Sequence, residues 1–309
     1  MIPALLGGVI ALIAALALFS FLAARHIERQ APADGQFITV GGTRLHYTDQ
    51  GQGPAIVMIH GLGGQMRNFS YALTEQLTAD HRVILIDRPG SGYSAAAPSA
   101  AIPAQATLVA GLIDALGLDR PLVVGHSLGG AIALALALDH PDKVGGLALI
   151  SPLTQLQETV PPAFKAISIS SPAVRSAVAW TIATPMGMLS GTRGADAVFA
   201  PEPAPADFGT KGGGVLVLRP GAFHAASTDL AATRADMAAL AARYGALAVP
   251  VAILYGREDA ILDPELHGAK IAADFPQVAL TLIPGGHMIP VTAPEQVAGW
   301  IRGRVGATA

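Results

Sequence analysis

Short apolar runs alternate with stretches of helical periodicity over most of this chain. Six runs bounded by glycine, proline or charged residues predict strands, at about residues 55–60, 82–87, 121–126, 144–150, 249–256 and 278–283. Between two of them, Leu108, Leu112 and Leu116 recur at the spacing of one helix face. Strands that alternate with helices predict an α/β fold, with a mostly parallel central sheet covered by helices on both faces.

Ahead of the first of these strands, two short strand-like segments surround a pair of glycines. Residues 37–40 and 44–48 flank Gly41 and Gly42. A Gly-Gly pair suits the primed turns that join antiparallel strands, because both central residues of such turns have positive φ. This pattern predicts an antiparallel β-hairpin.

The N-terminal segment is apolar throughout, since residues 2–24 contain no charged side chain. At about 1.5 Å per helical residue, this run can cross a hydrocarbon core of about 30 Å. We expect a single-pass transmembrane anchor at residues 1–25 and a linker at 26–35. A cleaved signal peptide is the alternative, but the run has no basic n-region and exceeds the usual h-region. Arg25 and Arg29 favour a cytoplasmic catalytic domain by the positive-inside rule, while a periplasmic or extracellular one stays open.

A serine stands between one predicted strand and an alanine-rich helical run. Residues 125–129 read GHSLG and follow the apolar run at 121–124. Strand, G-x-S-x-G and helix together form the setting of a nucleophile elbow, which exposes the serine hydroxyl at the sheet edge. The alternative is a simple glycine turn, and the flanking strand and helix favour a nucleophile at Ser127.

Two further polar residues directly follow predicted strands near the C-terminus. Asp259 follows the strand at 249–256, and His287 follows the strand at 278–283. The carboxyl ends of parallel strands share one edge of the sheet, where open α/β sheets place their sites. We expect His287 to act as general base and Asp259 to orient its ring. Asp263 and Glu258 are rival acids; Asp263 precedes a proline and suits a helix N-cap better.

A glycine-rich loop, HGLGG at residues 60–64, follows the strand at 55–60. Acyl transfer needs two backbone N–H donors aimed at the developing oxyanion, and these come from such a loop and from the residue after the nucleophile. We expect the N–H groups of Leu62 and Leu128 in this role. His60 and His126 are interpreted as structural side chains.

These motifs give the chain a clear resemblance to a known family. Residues 87–94, DRPGSGYS, match a D-x-P-G-x-G-x-S turn. Together with the glycine-rich loop, the nucleophile elbow, the G-x-x-D segment and the G-G-H segment, this turn makes five motifs that stand in family order between about residues 36 and 305. The chain resembles serine α/β-hydrolases of the esterase and lipase kind, including monoacylglycerol-lipase-like enzymes. The resemblance implies a Ser127–His287–Asp259 triad, and serine at the elbow disfavours the dehalogenases and epoxide hydrolases, which carry aspartate there.

A long insert follows the strand at 144–150, which is the sixth strand when the two strands of the hairpin are counted. It falls where this family often carries a helical cap. We therefore expect a hydrolase core at residues 36–151 and 228–309 and a cap at 152–227, with a loop at its glycine- and proline-rich middle, 191–214. The apolar side chains of the insert suggest a lipophilic pocket beneath it: Phe164, Ile167, Ile169, Val178, Trp180, Ile182, Met186, Met188 and Leu189. Four methionines are candidate lining residues: Met66, Met186, Met188 and Met288.

Composition narrows the chemistry further. The 309 residues are 51% hydrophobic and 13% charged, with net charge −3, so nucleic acid is not an expected partner. The absence of cysteine excludes disulfides and thiolate chemistry, and the nine histidines lack paired metal-ligand spacing. No metal or cofactor is expected. The favoured function is hydrolysis of lipophilic esters; the alternatives are perhydrolysis or C–C bond hydrolysis on the same fold, and a non-catalytic membrane-anchored binding protein.

Overall fold

The computed structural model describes residues 2–305, and within them it contains one eight-stranded sheet. The strands are β1 Gln36–Val40, β2 Thr43–Gln50, β3 Ala55–Ile59, β4 Arg82–Ile86, β5 Leu122–His126, β6 Gly146–Ile150, β7 Val251–Gly256 and β8 Val278–Ile283. Their order across the sheet is β1-β2-β4-β3-β5-β6-β7-β8. The β1–β2 and β2–β4 pairs are antiparallel and the remaining pairs are parallel. The predicted fold class, a mostly parallel α/β sheet, is confirmed.

Helices cover both faces of this sheet. Before the insert the helices are α1 Ile2–Gln30, which packs against the cap, and α2 Arg67–Ser70, α3 Thr74–Leu77, α4 Ile102–Ala115 and α5 Leu128–Asp139. In the insert and after it they are α6 Pro172–Val178, α7 Thr184–Ser190, α8 Arg193–Phe199, α9 Pro220–Ala241, α10 Lys270–Asp274, α11 Ile289–Thr292 and α12 Pro294–Val305. Because side chains alternate along a strand, Val57 packs with α4 and α5, whereas Ile56 packs with α2, α3 and α12.

The predicted hairpin is present at one edge of the sheet. Val40 pairs with Thr43, and Gly41 and Gly42 between them have φ of 53° and 79°. Two consecutive residues with positive φ are what a type I′ turn requires, which accounts for the glycine pair.

Helix α1 differs from its predicted limits. It continues from the apolar run through residues 26–30, so the linker expected at 26–35 is wrong for its first half. No glycine or proline interrupts residues 25–30, and the helix ends where Pro32 disfavours helical backbone at the residue before it. By length and composition, Pro3–Gln30 fits a membrane span or a signal sequence, and nearly all of its apolar window is exposed.

The insert lies between β6 and β7 as expected, but its internal structure differs from the sequence interpretation. The boundary placed at residues 227 and 228 falls inside α9, which runs without a break from the insert towards β7. Residues 191–214, expected to be a loop, contain α8 and bury Phe199 and Phe208. These two rings pack on Met288, and this contact orders a segment whose glycine and proline content suggested otherwise.

Three backbone segments approach one another closely at the turn between β5 and α5. A Cβ atom on Gly129 would lie 2.0 Å from the carbonyl oxygen of Ile59, and one on Gly125 would lie 2.5 Å from that of Gly129. Both neighbours are main-chain atoms that cannot rotate away. The glycines of the G-x-S-x-G motif are thus required by packing.

We expect Gly129→Ala to lower the melting temperature of the full chain in detergent by several degrees, because overpacking of this kind costs about 1–3 kcal/mol or more. Gly299→Ala is the matched control. Gly299 is also helical, and a Cβ there meets nothing within 4 Å, so the control should gain up to about 1 kcal/mol. Thermal unfolding followed by circular dichroism measures both. Equal melting temperatures for the two variants would contradict the packing argument.

Candidate active site

Ser127 occupies a strained turn between β5 and α5. Its φ of 55° and ψ of −120° are unusual for a residue other than glycine. The turn is fixed by main-chain hydrogen bonds: Ser127 N–H donates to Ile150 O at 3.1 Å, and Ser127 O accepts from Gly130 and Leu153 at 2.9 and 3.0 Å. Strain retained by surrounding structure is typical of functional sites.

Asp259 and His287 meet at the carboxyl edge of the sheet. Asp259 Oδ2 lies 2.7 Å from His287 Nδ1, and both side chains are buried. Asp259 Oδ1 accepts the N–H groups of Ile261 and Leu262 at 2.8 and 2.9 Å. Burial alone would raise the pKa of Asp259, but the charge and hydrogen bond of His287 and the two backbone donors hold that pKa below its usual value. The carboxylate is therefore ionised, and His287 donates from Nδ1.

The rival acids have other partners. Glu258 Oε2 accepts the N–H of Gly285 at 2.6 Å. Asp263 Oδ1 accepts the N–H of Glu265 at 3.0 Å, which is the cap-like contact expected for it. Of the three carboxylates, Asp259 is the one paired with His287.

Ser127 and His287 are linked through His126. The rings of His126 and His287 lie 4.9 Å apart between centroids, and His126 Nε2 donates to the carbonyl oxygen of His287 at 3.0 Å. Burial and the nearby His287 lower the pKa of His126 to about 3, so this ring stays neutral. Within the described residues Ser127 Oγ makes no hydrogen bond with His287. The structure thus brings acid and base together and leaves nucleophile and base unbonded.

The glycine-rich loop is held by a buried histidine. His60 Nδ1 donates to Gly61 O at 2.9 Å, and His60 Nε2 accepts the backbone N–H of Arg88 at 3.0 Å. Burial and the charge of Arg88 lower the pKa of His60 well below its ordinary value. The neutral His60 ring uses both nitrogens in these hydrogen bonds, so it stabilises the loop.

Ser127, Leu62 and Leu128 together line an open cavity of about 560 Å³. Its other walls come from the segment after β6, from α9 and from the segment after Asp259: Leu153, Leu156, Gln157, Thr159, Val160, Pro161, Phe164, Leu230, Thr233, Arg234, Ile261 and Leu262. In the described part of the chain, neither Leu62 N–H nor Leu128 N–H donates to a protein acceptor. Two uncommitted backbone donors beside the serine are suited to bind an oxyanion.

The four candidate methionines lie elsewhere, and their assignment to the pocket is wrong for this cavity. Met66 is buried on the face of the sheet that holds α2 and α3, and Met288 packs on the rings of Phe199 and Phe208. Met186 and Met188 are 60% and 46% exposed on the cap. Closeness in sequence to His287 or to the glycine loop did not indicate the direction of these side chains.

A buried ion pair that the sequence did not reveal joins the cap to the glycine loop. Arg88 Nη1 lies 2.8 Å from Asp229 Oδ2, and both side chains are almost fully buried. The same guanidinium donates to His60 O at 3.0 Å and Gly61 O at 2.9 Å, and to Gln105 at 2.9 Å. Burial raises the pKa of Asp229, with Arg88 and Gln105 acting against that rise. The partners are 141 positions apart, so no local pattern could have paired them.

His267 fixes the wall of the cavity that follows β6. It is buried, and its Nδ1 accepts the N–H groups of Thr154 and Gln155, each at 3.3 Å. With Nδ1 as acceptor the neutral ring carries its proton on Nε2, which has no hydrogen-bond partner. Burial lowers the pKa of His267 from its ordinary 6.5 to about 4.

Metal ligands do not converge at this site or at any other in residues 2–305: no group of three or more His, Asp or Glu side chains there has a suitable arrangement. The groups that the site presents to a substrate are the serine hydroxyl, the imidazole, the carboxylate and the backbone N–H donors.

Comparison with known proteins identifies the class of fold to which the chain belongs. A family model described as the α/β hydrolase fold matches residues 54–181. A thermophilic esterase from Thermogutta terrifontis superposes with a TM-score of 0.70 at 25% identity, over 89% of this chain and 99% of that one. The chain has the α/β-hydrolase fold, as the motifs implied.

Two curated relatives match the chain over part of their length. The dihydrolipoyllysine-residue acetyltransferase component of the acetoin cleaving system from Cupriavidus necator is 39% identical over 128 residues, or 41% of this chain and 34% of that protein. The 2-hydroxy-6-oxo-6-phenylhexa-2,4-dienoate hydrolase from Burkholderia cepacia is 36% identical over 137 residues, or 40% of this chain and 47% of that protein. The chain thus spans between about a third and a half of these relatives.

We expect His267→Asn to weaken the loss of stability on acidification. Between pH 6.5 and 4 the unfolded chain protonates residue 267 and the folded chain does not, so the free energy of unfolding falls as the pH falls through this window. Asparagine keeps an acceptor for the two N–H groups and removes the titration. The slope of unfolding free energy against pH should become shallower by up to about 1.4 kcal/mol per pH unit. Denaturant titrations from pH 7 to 4.5 measure it; parallel slopes for variant and parent would contradict it.

Proposed function

We propose that this protein is a serine hydrolase that cleaves carboxylic esters of lipophilic substrates through an acyl-enzyme. The observation that carries the proposal is the position of Ser127, on a strained elbow at the wall of an apolar cavity that it shares with two uncommitted backbone N–H donors. Fold and relatives support a hydrolase more broadly.

In the proposed mechanism, Ser127 Oγ attacks the ester carbonyl and its proton passes to His287 Nε2. Asp259 stabilises the resulting imidazolium through Nδ1, as its lowered pKa allows. The oxyanion accepts hydrogen bonds from Leu62 N–H and Leu128 N–H. The alcohol leaves with the proton from His287, and water, deprotonated by His287, then releases the acid and restores Ser127. The proton transfer requires His287 and Ser127 to close on substrate binding, as catalytic hydrogen bonds often do.

The lipophilic substrate class follows from the cavity wall and from α1. Most residues that line the cavity are apolar, so the cavity favours an uncharged acyl chain over a charged substrate group. Helix α1, as a retained single-pass anchor, would keep this cavity beside esters dissolved in the bilayer. Short- and medium-chain esters and monoacylglycerols fit both features. Arg25 and Arg29 favour a cytoplasmic catalytic domain.

A second candidate is hydrolysis of a C–C bond by the same three residues. Its support is the 36% identity with the Burkholderia cepacia dienoate hydrolase, which exceeds the identity with the Thermogutta terrifontis esterase but covers less of the chain. Parallel assays with p-nitrophenyl butyrate and with a 2-hydroxy-6-oxo-dienoate distinguish the two reactions. Peracid formation, assayed alongside, tests perhydrolysis.

We expect the full chain in detergent to react with a fluorophosphonate probe at Ser127 and to hydrolyse p-nitrophenyl butyrate. Ser127→Ala should abolish labelling and lower kcat at least about a thousandfold, because the nucleophile and base act as one unit. Peptide mass spectrometry locates the labelled residue.

The matched control is Ser151→Ala. Ser151 also follows a central strand, also has positive φ, 42°, and its buried Oγ has no hydrogen-bond partner. This variant should keep both labelling and turnover. Full turnover by Ser127→Ala would overturn the mechanism, and a chain that never reacts with the probe would support a non-catalytic binding protein instead.

A further inference from the structure

The cap carries five large apolar side chains that remain about half exposed or more within residues 2–305. These side chains lie on the π-helical turn Ala179–Ala183 and on α7. We call them the cap apolar face: Trp180, Ile182, Met186, Met188 and Leu189. Their exposed fractions run from 46% to 78%. Large apolar side chains exposed together within ten residues mark a contact with a partner or a membrane more often than with water.

Helix α1 packs directly against the same two segments of the cap. Ser20, fully buried, donates from Oγ to the carbonyl oxygen of Thr181 at 3.3 Å. Thr181 stands between Trp180 and Ile182 in the chain. The turn that carries Trp180 and Ile182 is therefore fixed at the level of Ser20.

The level of Ser20 within a bilayer follows from the sequence of α1. No charged residue occurs before Arg25, which is therefore the first side chain that must reach the headgroups. Ser20 precedes it by five residues, and at 1.5 Å per residue this places it about 7.5 Å towards the apolar side. Trp180 and Ile182 share that level, so they lie at the boundary between headgroups and acyl chains, where tryptophan is enriched.

Contacts at the C-terminal end of α1 prevent the domain from tilting relative to the helix, and so keep the cap turn at the level of Ser20. Glu28 pairs with Arg219 at 3.3 Å, and Tyr93 Oη donates to Ala31 O at 2.6 Å. Ile27 and Leu216 are buried against each other. A helix held at Ser20 and again at residues 27–31 is joined to the domain as a rigid part.

We propose that the cap apolar face is immersed in the boundary layer of the lipid bilayer beside α1, and forms a second membrane contact. The inference rests on the anchor of the proposed function and is independent of ester hydrolysis. Its occupant is lipid because the helix that docks beside this face is itself exposed and apolar, with side chains such as Leu18, Phe21 and Leu22 about half exposed. The two apolar surfaces belong to segments that pack side by side, so lipid beside one of them also reaches the other.

The two tryptophans of the chain provide the test. Trp300→Phe leaves Trp180 as the reporter, and Trp180→Phe leaves Trp300, a core-domain residue whose indole donates to Thr281. Each variant of the full chain is reconstituted in phosphatidylcholine vesicles with and without bromine on the acyl chains. We expect the bromolipid to quench Trp180 at least about twofold more than Trp300, because interfacial tryptophans reach the acyl boundary. Equal quenching of the two residues would overturn the proposal.

A second measurement compares substrates in two phases. Ile182→Gln combined with Leu189→Gln should lower hydrolysis of a vesicle-borne ester about threefold or more while leaving a water-soluble ester unchanged, because polar side chains weaken interfacial binding. Leu266→Gln is the control: it places the same polar side chain at a leucine of the core domain that is 36% exposed, and it should change neither rate. Equal loss on both esters, or none on either, would count against the lipid contact.

Cross-linking tests whether another copy of the chain covers the face. The chain has no cysteine, so Leu189→Cys introduces a single thiol. Disulfide dimers formed in dilute vesicles, together with an unquenched Trp180, would show a contact between copies and overturn the proposal. Quenching of Trp180 in a chain that hydrolyses no ester would uphold the membrane contact and refute the proposed function alone.

Discussion

The candidate active site depends on three backbone segments that touch one another directly, with no side chain between them. A Cβ on Gly61 would lie 2.9 Å from Ser127 Cβ, and one on Gly129 would lie 2.0 Å from Ile59 O. The end of β3, the glycine loop and the start of α5 are therefore one packed unit. Main-chain packing of this kind sets the distance from the serine to both N–H donors and leaves no rotamer to adjust it. Preorganised donors of this sort need no rearrangement when charge develops on a substrate.

Arg88 extends this unit into the cap. Its guanidinium binds the carbonyl oxygens of His60 and Gly61 on one side and Asp229 of α9 on the other. A buried ion pair is weak evidence for stability, because desolvation offsets much of the attraction, although breaking one costs about 3–5 kcal/mol. Its value here is positional. It fixes the position of α9, which supplies Leu230 and Thr233 to the cavity, relative to the loop that supplies Leu62 N–H.

Sequence patterns were sufficient to predict features that depend on local structure or on the topology of the sheet. The strands were located to within about two residues because short apolar runs end at glycine, proline or charge. Asp259 was paired with His287 because parallel strands end at one edge. The methionines, the Arg88–Asp229 pair and the ordering of residues 191–214 depend on long-range packing that no local pattern encodes. The continuation of α1 to Gln30 was not predicted: the charged residues after residue 24 end the apolar run but do not end the helix.

Helix α1 and the candidate active site are connected through a single turn, residues 87–94. Asp87 accepts the N–H groups of Tyr93 and Met66, each at 2.8 Å, and so joins the turn at residues 87–94 to the segment after the glycine loop. Tyr93 then donates from its hydroxyl to Ala31, directly after α1. Five residues separate the end of α1 from β1, too few to act as a flexible tether. An anchored enzyme with a long linker samples many orientations at the membrane surface. Here side-chain contacts lead from α1 through Tyr93 and Asp87 towards the glycine loop, so the orientation of the cavity relative to α1 is a property of the fold, and under the proposed anchoring this orientation would also set the direction in which the cavity faces the bilayer.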